Sequence, residues 1–139
     1  CDIKVNPECL RASDELLDLL IELLPSLPDH ACASGGIGVF ADKMKGTSLP
    51  HLVEHVAIDL LVRTYQPEEI GFAGNTVWLD RSVNLMSVRV SYQDSWVTEA
   101  ALYAATELIN QIMTEDNPDH DFPVCHHPSP CIMAILQDL

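Results

Sequence analysis

His51, Glu54 and His55 are the residues of this chain whose types and spacing could do chemistry, as His51-Leu-Val-Glu-His55. On a helix, positions three and four apart share a face, so these three side chains would project together. Two neutral imidazoles one turn apart can fill two corners of a tetrahedral Zn2+ site, and a carboxylate beside them can take a proton from water at an open position. The order His-x-x-Glu-His is the inverted form of the zincin motif. The plainer reading is a helix face on which Glu54 merely satisfies two half-buried imidazoles. A second group of ligand types, Cys125-His126-His127 with Cys131, has usable spacing for a structural zinc but no second paired-cysteine knuckle.

The motif needs a helix to carry it. Thr47 or Ser48 can cap one, Pro50 is tolerated in its first turn, and the apolar run Val56, Ala57, Ile58, Leu60, Leu61, Val62 continues to about Tyr65 before Pro67. Apolar nearly all round, this helix is expected to be buried, so its polar groups need partners. Upstream, Ile3 and Val5 suggest a short strand, and Ser13 caps an apolar helix that Pro25 ends. Residues 26–38 read as a loop whose Gly35-Gly36-Ile37-Gly38 is a weak phosphate-binding signal, and residues 39–45 read as a short helix stopping at Gly46. Downstream, residues 70–79 look extended with Gly74-Asn75 as a turn, and Met86, Val88, Val90 and Tyr92 alternate on one face of a strand. Gln93-Asp94-Ser95 caps a helix over 96–113, packed through Val97, Ala100, Ala101, Ala104, Leu108 and Ile112. Residues 115–130 are an irregular, Pro-rich and acidic excursion, followed by a short terminal helix over 131–139. Trp78, Trp96 and Tyr92 are expected in the core. The pattern is that of an α/β protein of α+β type: a small, mainly antiparallel sheet with long helices packed on one face, residues 1–114 forming the domain and 115–139 an extension.

With 139 residues and 47% hydrophobic content there is enough chain for one ordinary core. The net charge of −14, from 7 Lys and Arg against 21 Asp and Glu, would repel nucleic acid and attract a cationic or arginine-rich partner. No apolar run approaches the roughly 20 residues that span a bilayer and no secretory signal is visible, so the expected location is cytoplasmic, without membrane attachment. Five cysteines are an odd number and do not suggest a disulfide framework. The first residue is Cys1 rather than Met, as in a trimmed chain or a processed, lipidated N-terminus.

The runs Leu23-Leu-Pro-Ser-Leu-Pro-Asp-His-Ala-Cys32, Gly38-Val-Phe-Ala-Asp-Lys-Met-Lys-Gly-Thr47 and His51-Leu-Val-Glu-His-Val-Ala-Ile-Asp-Leu60, continued by Ile70-Gly-Phe72 and Ser87-Val-Arg-Val-Ser-Tyr92, resemble the N-terminal domain of cyanophycin synthetase over roughly Ile3 to Met113. In those synthetases the domain precedes ATP-grasp and Mur-ligase-like modules, neither of which is in these residues, so polymer synthesis by them alone is not expected. The resemblance implies instead a zinc centre similar to that of the insulinase and pitrilysin peptidases, able to cut arginine-decorated polyaspartate. Pitrilysin-type peptidases take a third ligand from a downstream Glu that has no counterpart here.

If the two long helices run parallel, Glu99 in the first turns of the second sits level with His51 and His55, while Glu107, at 1.5 Å per residue, lies about 12 Å deeper. The expected metal ligands are therefore His51, His55 and Glu99, with Asp94 and Cys32 in reserve, and Glu54 is the expected catalytic base. Asp59, one turn after His55, would orient that imidazole. His30 and His120 carry no role beyond loop position. The expected activity is zinc-dependent hydrolysis of an amide bond in a peptide or arginine-bearing polymer, by a chain that can form a homo-oligomer; the alternative is a non-catalytic module that docks a polymer or a synthetase-like partner.

Overall fold

The computed structural model describes residues 1–33, 35–65, 71–115 and 132–135. Strand β1 (Asp2–Val5) buries Ile3 and Val5. Helix α1 (Asp14–Leu23) starts where the Ser13 hydroxyl accepts the Leu16 amide at 3.2 Å, with Asp14 and Glu15 complementing the first turn, and it buries Leu16, Leu17 and Leu20.

The segment between α1 and the motif helix departs from expectation. Strands β2 (Ala31–Cys32) and β3 (Gly38–Val39) form a two-stranded hairpin, pairing Ala31 with Val39 and Cys32 with Gly38. A 3-10 turn, Phe40–Asp42, follows where residues 39–45 were expected to be α-helical. The physical reason is Phe40, which is wholly buried and whose amide donates to the His30 carbonyl at 2.7 Å, an anchor that overrides local helix propensity. Gly46, at φ +67, stops this segment as expected.

Helix α2 (Leu49–Tyr65) carries the motif and is buried on nearly every side: Leu49, Leu52, Val53, Val56, Ala57 and Leu61 have no exposed surface. Strands β4 (Gly74–Asp80) and β5 (Leu85–Val90) follow as an antiparallel pair. Gly74 and Asn75 are ladder residues, paired with Val90 and Arg89, rather than a turn. Met86, Val88 and Val90 face the core, whereas Tyr92 lies beyond the strand and is 55% exposed.

Helix α3 (Ser95–Glu115) starts at Asp94, whose carboxylate accepts the Trp96 and Val97 amides at 2.9 and 3.3 Å. Its buried face is Thr98, Ala101, Leu102, Ala105, Ile109 and Ile112, turned slightly from the expected one so that Leu102 and Ile109 go inside. Ala100 and Ala104 are exposed, as is Trp96 at 80%, so neither Trp96 nor Tyr92 is core.

Residues Ile132–Ile135 form a strand, β6, rather than part of a terminal helix. A four-residue apolar run fits either state, and here it pairs with the open edge of β1, Val5 opposite Ile132 and Asp2 opposite Ile135. Cys125, His126, His127 and Cys131 lie outside the described residues. The sheet order is β4-β5-β1-β6, antiparallel throughout. α2 packs on β1, β4, β5 and α3, and α3 packs on α1, giving the α+β arrangement expected. Among the described residues, no helix is long and apolar enough to cross a membrane.

The burial pattern of α3 has a direct check. Leu102→Ala removes a fully buried side chain and is expected to cost about 2–5 kcal/mol in urea denaturation, while Ala104→Ser on the outer face stays within about 0.5 kcal/mol. Equal costs would mean that a different face of α3 is buried.

Candidate metal centre

His51 and His55 are one turn apart on α2, and the β2–β3 hairpin lays Cys32 against them. One ligand atom from each of Cys32, His51 and His55 lies within 4.8 Å of the other two, a group that could hold a metal ion. Cys32 Sγ is 3.5 Å from His51 Nε2, and both Cys32 and His55 are buried. A thiolate and two imidazoles suit a borderline-soft divalent cation, and three protein donors are the number found in catalytic zinc sites.

Each imidazole is oriented by a further residue. His51 Nδ1 is 2.9 Å from the hydroxyl of Thr47, four positions earlier, which sets the ring with Nε2 toward Cys32. His55 is fixed by a longer chain: its Nδ1 is 3.5 Å from His30 Nδ1, and His30 Nε2 is 3.2 Å from Asp59 Oδ1. Asp59 is itself held in place, since Ser26 Oγ donates to Oδ1 and Arg63 Nε donates to Oδ2, each at 2.5 Å. With His30 neutral, its Nε2 donates to the carboxylate, which only accepts, its Nδ1 accepts the His55 Nδ1 proton, and His55 Nε2 carries a bare lone pair. That Nε2 atom is buried and has no hydrogen-bond partner. An orphaned buried acceptor is costly, and a metal ion is the partner that its surroundings suit.

The electrostatics agree. Burial pushes the His55 pKa down to about 3, with His51 and His30 beside it adding to the effect. Burial also lowers that of His51, with the Lys43 charge as the second cause. Neutral imidazole is the ligating form. The Phe40 ring stacks on His55 with centroids 3.8 Å apart and shields it from water.

Glu54 lines the same cavity, of about 880 Å³, as Cys32, His51 and His55. It is only 5% exposed, and its Oε2 accepts the Thr76 hydroxyl. Burial raises its pKa, partly opposed by the Thr76 hydrogen bond. Gly74 is what admits it: a Cβ there would lie 2.6 Å from Glu54 Cγ.

The structure thus brings together His51, Glu54 and His55, and the third residue of the group that could hold a metal is Cys32, one of the two reserve candidates. Glu99 is half-buried on α3 and outside the cluster, and Asp94 is exposed and occupied in capping α3. Asp59 does act toward His55, though through His30 rather than directly. His30 is the residue that reading the sequence missed. A signal was present in His30-Ala31-Cys32, because alternate residues of an extended chain share a face, and His30 is extended at φ −59 and ψ 135.

Residues 8–114 match the family model of the cyanophycin synthase-like N-terminal domain. The chain is similar to a cyanophycin synthetase of Crocosphaera subtropica, with 35% identity over 97 residues, covering 69% of this chain and 11% of that protein. It is also similar to a cyanophycin synthetase of Synechocystis sp., with 48% identity over 42 residues, 30% of this chain and 5% of that protein. No solved structure matches the chain. The family match runs from before α1 to the last turn of α3 and takes in Cys32, His51, Glu54 and His55: the chain belongs to the cyanophycin synthase-like N-terminal domain family.

Proposed function

We propose that this domain is a zinc-dependent hydrolase of amide bonds. The observation that carries the reading is the buried, unpartnered Nε2 of His55 beside Cys32 and His51, with Glu54 in the same cavity. Cys32, His51 and His55 would hold the metal, which supplies a Lewis acid and makes water a usable nucleophile at neutral pH. Glu54 takes the proton of the attacking water and later delivers it to the leaving amine, and its burial-raised pKa brings it nearer the pH at which a general base works best. Thr76 holds one carboxylate oxygen of Glu54 so that the side chain does not swing away. Phe40 keeps solvent off His55.

The relatives' name makes cyanophycin the polymer to test, and the −14 charge of the chain suits an arginine-bearing one. A second reading is favoured by length: the chain spans 11% of a relative named as a synthetase, so a domain that holds polymer for such an enzyme without cutting it would fit as well.

The two readings separate on Glu54→Gln, assayed with zinc-loaded protein on cyanophycin and on arginine-rich and neutral peptides. Hydrolysis predicts turnover in the wild type and a loss of roughly 100-fold or more in the variant, with zinc content and polymer binding kept. Polymer binding without turnover in either protein would leave the docking module. Gly74→Ala forces a Cβ against Glu54, so it is expected to cost about 1–3 kcal/mol in denaturation and to lower turnover while zinc is retained.

A pH signature belongs to the metal-free protein. The folded-state pKa of His55 is depressed, so the unfolded chain binds a proton that the folded one does not. Native stability is therefore whole above about pH 6.5 and is lost progressively as pH falls toward 3, which denaturation at stepped pH of the wild type beside His55→Ala would register. A flat profile across that window would mean that His55 is not buried in neutral form.

A further inference from the structure

One edge of the sheet runs along the cavity. Among the described residues β4 stands at the end of the order β4-β5-β1-β6, and its residues Gly74, Thr76 and Trp78 line the cavity of His51, Glu54 and His55. The ladder fixes which way the backbone groups point. On the far side of β5, the Val88 amide donates to the Cys1 carbonyl at 2.8 Å and the Cys1 amine to the Val88 carbonyl at 2.7 Å, so Val88 and, two residues away, Met86 are turned to β1. Ser87, Arg89 and Ser91 are therefore turned to β4, and the Ser91 amide donates to the Ala73 carbonyl at 2.7 Å. Val77, Asn75 and Ala73, opposite them, face β5. The alternate residues Gly74, Thr76 and Trp78 turn their N–H and C=O groups away from the sheet.

The part of this edge beside the cavity lacks the usual guards against pairing. Gly74–Asp80 contains neither Lys nor Pro, residues that commonly blunt an edge strand, and the register shift between Trp78 and Asp80 lies at its far end. Gly74 and Asn75 are exposed, and a glycine in an edge strand lets another backbone approach closely. The outward groups recur at every second residue, at roughly 3.4 Å per residue, which is the repeat of an extended peptide. The Thr76 hydroxyl donates to Glu54, so a chain laid along this edge passes beside that carboxylate.

We infer that the outer edge of β4 binds an extended polypeptide as an added strand, its main-chain amides pairing with Gly74, Thr76 and Trp78. Main-chain pairing gives affinity whatever the side chains are, so the ligand class is a chain with free amide N–H groups in extended form, and alternate side chains of that chain face the cavity. The other occupant, a second copy paired edge to edge, would set one chain of net charge −14 against another, whereas a peptide with cationic side chains is attracted. Calling the bound chain a substrate rests on the hydrolase reading; strand addition does not.

Amide hydrogen exchange, read by NMR, tests this. The probe is acetyl-Thr-Arg-Val-Arg-Thr-Arg-amide, beside an analogue N-methylated at every residue, and the protein is zinc-loaded Glu54→Gln. Without probe, the Gly74, Thr76 and Trp78 amides are expected to exchange about tenfold or more faster than those of Asn75 and Val77. Probe at about ten times its Kd should slow the first three about tenfold and leave the other two unchanged, and the analogue should slow none. Trp78→Pro removes one outward N–H and spares the ladder to β5, so it should weaken probe binding about threefold or more relative to Trp78→Leu. Slow exchange of the three amides before probe is added, through the chain's own residues or a second copy, would overturn the inference, as would protection without the alternation or equal protection by the analogue. The probe is also offered to zinc-loaded wild type. Alternating protection without cleavage would remove the hydrolase reading and keep the strand site; cleavage without the alternation would do the reverse.

Discussion

Everything around the site follows from one constraint: α2 is buried on nearly all sides, yet its first turns carry two imidazoles and a carboxylate. Polar groups in such a place must be satisfied, and the neighbouring elements are arranged to satisfy them. Thr47 serves His51, the Asp59–His30 pair serves His55, and Thr76 serves Glu54. The glycine at position 74 exists where β4 must come close enough for that last bond. Against this background His55 Nε2 stands out, because it is the one fully buried polar atom of the motif without a hydrogen-bond partner among the described residues, and it lies beside a thiol and a second imidazole.

The hairpin of β2 and β3 is the element that makes the site more than a helix face. It contributes Cys32 directly, and the residues that bracket it contribute His30 and Phe40, one hydrogen-bonded to His55 and the other stacked on it. The hairpin also brings Gly36, whose carbonyl holds Lys43 at the cavity wall. A short stretch of chain therefore supplies a candidate ligand, an orienting group, a hydrophobic cover and a charge at the cavity wall. That division is common in proteins: a rigid helix sets the spacing of the two histidines, and a loop segment adapts around them.

Local pattern made part of this legible. The cap at Ser13, the limits of α2, the buried face of β5 and the shared face of His51, Glu54 and His55 all follow from periodicity and from residues close in the chain. What was not legible depended on contacts between distant residues. Cys32 meets His51 across the hairpin, Phe40 is fixed by His30 and His55, and β6 is a strand because β1 has an edge to fill. The preference for Glu99 over Cys32 rested on the two long helices running parallel, and helix geometry does not locate an extended segment such as the one that lays Cys32 against α2. The register of α3 was misjudged for a related reason: two adjacent apolar stripes compete, and packing against α2 and α1, rather than local pattern, selects the one with Leu102 and Ile109.

The most direct test is the metal content of protein purified without added metal or an affinity tag, measured by elemental analysis for the wild type beside Cys32→Ala, His55→Ala and Glu99→Gln. The expected result is about one zinc per chain in the wild type and in Glu99→Gln, lost in the other two. Folded wild-type protein that neither contains nor takes up metal on titration would contradict the three-donor site, and so would metal that survives Cys32→Ala but is lost in Glu99→Gln.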